Sequence, residues 1–414
     1  QSLVSDLWDG PHDCSRQAGR RRMGPTPVVT THKPARVLTT AACALALSAG
    51  ALALAPAPAH ADEITSQEYV SYYHLDQARA KGHTGKGVTV ALIDEPVNLS
   101  DPELAGANIT DKSRCTIIAK GDKKDHGNQM AALLVSQKYG VAPDATLYTY
   151  QAGQRPDDTS GCETATGYRA NLDILINQAI DDGAQIISIS ATSEDRSPSL
   201  MWAVARAMNE GVIILAGAGN SGAEDTESLG RWSGVVGVSA VNADRSFASY
   251  SSYGPGVTTA AFGGPINVRN VDTGAITTTQ GTSNATAIAA GFMAMARQKW
   301  PSASANQLLQ LLVKNSLNPN HDWNQYTGYG AIDGASLMRT DPSQYPDENP
   351  LADKGTDSHP TPEERSDLAN EVISPLGVNM ADSYVYRGFD ESIAYSSVLS
   401  NVPHIGTSPR YHQK

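Results

Sequence analysis

The chain has 414 residues, with 31 Lys and Arg against 43 Asp and Glu, a formal net charge of −12 and 40% hydrophobic residues. That much apolar side chain supports a substantial core and excludes wholesale disorder, while the acidic balance excludes nucleic acid as a main partner, because neutralising phosphates needs a basic surface. The four Cys stand at positions 14, 43, 115 and 162 with no CxxC pair among them, which excludes a zinc scaffold built on such pairs.

Residues 1–61 read as lying outside the fold. The first Met, Met23, follows Arg20, Arg21 and Arg22. After it come Lys33 and Arg36, an apolar run from Val37 to Ala55, then Pro56, Pro58 and Ala59-His60-Ala61. This basic, apolar, A-x-A order predicts a secretory signal peptide over 23–61, cleaved after Ala61, with 1–22 as an upstream extension. A membrane anchor is the alternative, since such a run just spans a bilayer; the two prolines and the A-x-A site argue against it. Beyond Ala61 no second long apolar run occurs, so a secreted, extracellular product without membrane contact is expected. Only Cys115 and Cys162 remain there, and an oxidising destination predicts that they pair, with two buried thiols as the alternative.

From Gly87 to about Thr340 short β-branched runs alternate with helical patterns. The runs are Val88 to Ile93, Thr146 to Tyr150, Gln185 to Ile189, Val212 to Ala216 and Val235 to Val241. Between and after them the spacing predicts helices over Met130 to Ser136, Asn171 to Asp182, Ser199 to Asn209, Ser283 to Lys299 and Asn306 to Asn315, the last opened by the capping-box pair Ser304 and Gln307. This is how a mostly parallel central sheet with helices on both faces reads, in an α/β domain over 62–340. Residues 341–414 form a linker and C-terminal tail, an irregular extension rich in Asp, Pro and Ser through Pro362. One short helix is expected from Pro362 to Ile373, where Thr361 and Glu364 supply a capping box.

An open α/β sheet binds its ligand at the carboxyl ends of the strands, so functional residues should follow the runs. Asp94 ends the first run; its bland alternative is a turn or cap. His126 stands in Asp125-His126-Gly127 directly before a helical pattern, where a lone His is more often structural. Ser283, in Gly281-Thr282-Ser283-Asn284, opens the helix whose apolar positions are Ala285, Ile288, Ala289, Phe292, Met293 and Ala296. A helix start offers unpaired N–H groups to an oxyanion; the alternative is a plain Ser N-cap. Asn220 ends the run through Ala216-Gly217-Ala218-Gly219, and its amide can donate to developing negative charge or simply serve a turn. Together they supply the parts of an acyl-transfer site: nucleophile, base, orienting carboxylate and oxyanion donor.

The order and flanks of these residues resemble the subtilisin-like serine proteases, the subtilases, from about His74 to Leu337. Gly85 to Asp94 looks like the family's Asp segment, Asp125-His126-Gly127 its His segment, and Ala216 to Asn220 its oxyanion segment. Ala248 to Pro255 is similar to the stretch before the nucleophile, Gly281-Thr282-Ser283 to the nucleophile motif, and Gly328 to Asp333 to the domain ending. The resemblance implies a serine endopeptidase acting on protein or peptide substrates, with Asp94, His126, Ser283 and Asn220 catalytic. It also implies that Ser190, Ala191 and Thr192, with Ala216, Gly217, Ala218 and Gly219, line the cleft and pair with an extended peptide. No cofactor is required and no metal-ligating set is read, structural calcium being left open; a monomer is expected.

Four departures stand out: Glu95-Pro96 after Asp94, Asn128-Gln129 after Gly127, Asn284 and Ala287 in the nucleophile helix, and no room for a pro-segment between Ala61 and about Thr65. They motivate a rival expectation, a catalytically weak or inactive subtilase-like peptide-binding protein.

Overall fold

The computed structural model describes residues 63–119, 124–153, 159–160, 170–190, 196–226, 228–355 and 358–370. The expected signal peptide and upstream extension, Ala191, Thr192, Cys162 and the tail beyond residue 370 lie outside them. The strands are β1 (Thr89–Asp94), β2 (Ile109–Asp111), β3 (Ile117–Ile118), β4 (Thr146–Gln151), β5 (Thr159–Ser160), β6 (Ile186–Ile189), β7 (Ile213–Gly217), β8 (Val235–Val241), β9 (Val257–Phe262), β10 (Ile266–Arg269) and β11 (Ile276–Thr279). The helices are α1 (Glu68–Tyr72), α2 (Leu75–Ala80), α3 (His126–Val135), α4 (Leu172–Asp181), α5 (Pro198–Glu210), α6 (Thr282–Lys299), α7 (Ala305–Asn315), α8 (Gly334–Arg339) and α9 (Pro362–Ala369).

Seven strands form one sheet in the order β2-β4-β1-β6-β7-β8-β9, and every pairing in it is parallel. Side chains alternate across a strand, so β-branched runs serve two cores at once. Val90, Leu92, Ile213, Leu215, Val236 and Val238 join α3 and α6 on one face. Ala91, Ile93, Ile187, Ile189, Ile214 and Ala216 join α4 and α5 on the other. All five expected runs are strands of this sheet. The sheet's other two strands are β2, a three-residue edge strand, and β9, whose Thr-Thr-Ala-Ala centre carries little apolar signal although each residue from Val257 to Phe262 is buried.

Helix α6 is buried almost all round and packs against β1, β6, β7, β8 and β9. Its many Ala residues let it lie close to the strands, so burial extends well beyond the apolar stripe that its spacing shows. Helix α3 begins at His126, four residues before the predicted start at Met130, because Gly127, Asn128 and Gln129 conceal its first turn from a reading of apolar spacing.

The stretch after residue 340 makes specific contacts with the sheet domain where its composition suggested a linker. Leu351 is buried in the α3 and α6 core, its carbonyl accepts from Gly234 N–H at 2.6 Å, and the His359 carbonyl accepts from Ser233 N–H at 3.0 Å. Helix α9 carries the expected capping box between Thr361 and Glu364.

Candidate active site

Strand β1 lies between β4 and β6, which the chain reaches by moving first to one side and then to the other. The carboxyl end of β1 is therefore the switch point at which such sheets open a crevice, and Asp94 is its last residue. His126, the first residue of α3, meets it there: Nδ1 lies 2.7 Å from Asp94 Oδ1. The same oxygen accepts from Glu95 N–H at 2.7 Å. A carboxylate acceptor at this distance favours the tautomer with the proton on Nδ1, the one that leaves a lone pair on Nε2. The side chains are 1% and 15% exposed for Asp94 and His126, so the imidazole alone reaches toward solvent.

Two neighbours explain how α3 comes so near. A Cβ on Gly127 would stand 2.2 Å from the Glu95 carbonyl oxygen, so only glycine lets the helix start against the loop that leaves β1. Asn128 then clamps that loop. Its Oδ1 accepts from Asn98 N–H at 2.8 Å, and its Nδ2 donates to Asn98 O at 3.1 Å and Asp101 Oδ2 at 2.9 Å.

Ser283 is the second residue of α6, whose N-cap is Gly281. It does not cap the helix: its hydroxyl donates to the Ser190 carbonyl, just beyond β6, at 2.9 Å. The plain N-cap alternative is thereby set aside. Asn220 follows β7 and is held from α6, where Thr282 N–H and Thr282 Oγ1 donate to its Oδ1 at 2.8 and 3.1 Å. Both bonds fix the amide oxygen and leave Nδ2 as the donor of the amide. Thr282 Oγ1 also accepts from Gly219 N–H at 3.2 Å, so this one hydroxyl joins β7's end to the start of α6. In the sequence Thr282 is marked only by its place beside Ser283 in the Gly281-Thr282-Ser283 motif.

The start of α6 is anchored again at the Gly263 carbonyl, which accepts from Gly281 N–H at 2.9 Å and Asn284 Nδ2 at 3.0 Å. A Cβ on Gly263 would lie 2.3 Å from the Tyr250 hydroxyl, which burial pushes up to about 12, so it stays neutral as a packing group.

Of the expected cleft residues, Ser190 touches Ser283, and Ala216 to Gly219 form and follow the end of β7. Strand β7 is flanked on both sides, by β6 and β8. Beyond it Ala218 N–H donates to Val238 O at 2.9 Å and the Gly219 carbonyl accepts from Ser252 N–H at 2.8 Å. Those groups, with the Gly219 N–H, are already engaged, which limits the main-chain pairing expected of this stretch. Among the described residues no group of three or more His, Cys, Asp and Glu is arranged to hold a metal ion, and no helix is long and apolar enough to cross a membrane.

The site thus joins a carboxylate-held imidazole at the switch point of a parallel α/β sheet, an amide just beyond β7, and a serine at the start of α6 that is bonded just beyond β6; the class of protein with this fold is set by its relatives, which are serine peptidases. Residues 85–330 match the subtilase family, Peptidase_S8, and the chain belongs to that family. It is similar to the thermostable alkaline protease of Halalkalibacterium halodurans, 32% identical over 250 residues that span 58% of this chain and 65% of that protein. Subtilisin Savinase of Lederbergia lenta is 29% identical over 279 residues, 65% of this chain and 97% of the relative. Two solved structures share the fold. MycP1 of Mycobacterium smegmatis superposes with a TM-score of 0.54 at 22% identity, covering 72% of this chain and 89% of its own. Fervidolysin of Fervidobacterium pennivorans does so with a TM-score of 0.53 at 23% identity, covering 67% and 46%.

Proposed function

We propose that the chain is an exported serine endopeptidase that cleaves protein or peptide substrates through an acyl-enzyme. The observation that carries the reading is the Asp94–His126 bond at the end of β1, with Ser283, which has no capping duty, bonded to Ser190 just beyond the adjacent strand β6. In the first step Ser283 turns from the Ser190 carbonyl toward His126, gives its proton to Nε2, and its oxygen bonds to the scissile carbonyl carbon. The resulting oxyanion accepts hydrogen bonds from Asn220 Nδ2 and Ser283 N–H. His126 returns the proton to the leaving amine as the C–N bond breaks, and Asp94 supports the imidazolium throughout. Water then gives a proton to His126 Nε2 and bonds to the acyl carbon; the ester C–O bond breaks, and His126 returns that proton to Ser283 Oγ, releasing the acid product and restoring the site.

The same proposal includes Ser190, Ala191 and Thr192 with Ala216 to Gly219 as cleft lining, the signal peptide ending at Ala61, a Cys115–Cys162 disulfide, a monomer and no required cofactor. Two of the residues that depart from the family pattern fit this reading. Asn128 clamps the loop after β1 and Asn284 anchors the nucleophile helix, so both support the site without touching the reacting groups.

Replacing Ser283 by Ala should lower turnover of a peptide substrate about a millionfold. A fluorophosphonate should label the native protein and not S283A. Equal peptidase activity in the two proteins would overturn the proposal, and a folded native protein that resists the label would favour the peptide-binding alternative.

A further inference from the structure

At the starts of β8 and β9, the Lys354 amino group donates to three backbone carbonyls at once: Gly230 at 2.6 Å, Val235 at 2.5 Å and Gly256 at 2.9 Å. Three donors meet three acceptors, which is the full capacity of an ammonium group. The acceptors come from the turn before β8, the first residue of β8 and the residue before β9. Glycine makes that convergence feasible. A Cβ on Gly230 would lie 3.0 Å from Gly237 Cα, one on Gly237 would lie 2.2 Å from the Gly256 oxygen, and one on Gly256 would lie 2.8 Å from Arg231 N. Three backbones thus pack without side chains between them, and their carbonyls turn to one seat.

Two of the three carbonyls belong to the segment that returns to β8 from the loop opened by Asn220. The front of that loop is tied elsewhere: Gly222 N–H donates to Tyr250 O at 2.9 Å and Tyr253 N–H to Ala223 O at 3.2 Å. Its return is tied by the segment after residue 340, through Leu351, Ser358 and Lys354. Burial lowers the Lys354 amine to about 7, with the Asp225 charge acting the other way, so the group is fully charged only below neutral pH.

We propose that Lys354 is a positioning residue: its amino group acts as a built-in cation that fixes the return of the Asn220 loop to the start of β9. The C-terminal segment is by this inference a working part of the peptidase domain. The kinetic half of the inference rests on the serine-peptidase reading; the seat for an amino group does not.

The test is made at pH 6 on the purified protein. In an S283A background, Lys354→Met and Lys354→Ala should each lower the thermal midpoint by about 5 to 10 °C. Methylammonium at 100 mM should restore about half of the loss in K354A, where it fits the vacated seat. It should restore little in K354M, whose side chain fills the space, and tetramethylammonium at the same ionic strength, too large for the seat, should restore neither. With Ser283 intact, K354A should lose about fivefold in kcat with KM within twofold, and methylammonium should recover it. An unchanged midpoint, or equal recovery with tetramethylammonium, would overturn the seat. A lowered midpoint with unchanged kcat would overturn the positioning role. A parent protein without peptidase activity would instead overturn the serine-peptidase reading, and the thermal recovery would still decide whether the seat takes an amino group.

Discussion

The two halves of the site are held in different ways. Asp94 and His126 are brought together by backbone contact, since α3 starts against the Glu95 carbonyl only because Gly127 has no side chain. Ser283 and Asn220 are held by a polar hub, Thr282, whose amide and hydroxyl reach the Asn220 oxygen and whose hydroxyl also takes the Gly219 amide. A half held by contact should fail through strain, and a half held by a hub should fail by small steps, because each of its bonds has a companion. That contrast can be broken or sharpened by three substitutions.

The largest effect is expected at Asn220. In the proposed mechanism its Nδ2 acts only when negative charge develops, so Asn220→Ala should lower kcat by about 10² to 10³ with little change in KM. Steady-state kinetics on one peptide substrate decides it. A rise in KM with kcat intact would make Asn220 a ground-state contact and dissolve the hub's link to chemistry.

Gly127→Ala comes next and attacks the other half. Its methyl group would meet backbone and not a yielding side chain, so either α3 or the loop after β1 must shift. Overpacking of this kind costs about 1 to 3 kcal/mol, and the shift also parts His126 from Asp94. Chemical denaturation should show the loss and turnover should fall with it. Full activity in a destabilised protein would mean that the pair re-forms after the shift, against the view that contact alone sets it.

Much of this contrast could be read in the sequence on one side only. The β-branched runs declared five strands of the sheet, and Asp94, His126, Asn220 and Ser283 stood out because strand ends and helix starts are where such sheets place chemistry. What supports them did not stand out. Asn128 and Asn284 looked like departures from a family pattern, yet one clamps Asn98 and Asp101 and the other holds the Gly263 carbonyl. Lys354 lies in a stretch whose Asp, Pro and Ser content announces irregular backbone and says nothing about where that backbone rests. Its three acceptors are 124, 119 and 98 residues away along the chain. Local periodicity carries information about which face of an element is buried; it carries none about polar partners at that separation.

The smallest effect is expected from Thr282→Val, which keeps the shape of the side chain and removes only its hydroxyl. Two bonds disappear, the donation to Asn220 Oδ1 at 3.1 Å and the acceptance from Gly219 N–H at 3.2 Å. The shorter bond, from Thr282 N–H to Asn220 Oδ1 at 2.8 Å, belongs to the backbone and survives. The amide of Asn220 therefore keeps its orientation on average and loses only part of its restraint. Gly219 N–H, buried behind β7, is left without the partner it had, and a buried donor in that position costs about 1 kcal/mol or somewhat more. The expected outcome is a stability loss of that size and a kcat reduced by about threefold to tenfold, with KM unchanged. If T282V matched Asn220→Ala in kcat, the hydroxyl and not the backbone would be what aims the amide, and the hub would behave as a single point of failure like its counterpart at Gly127.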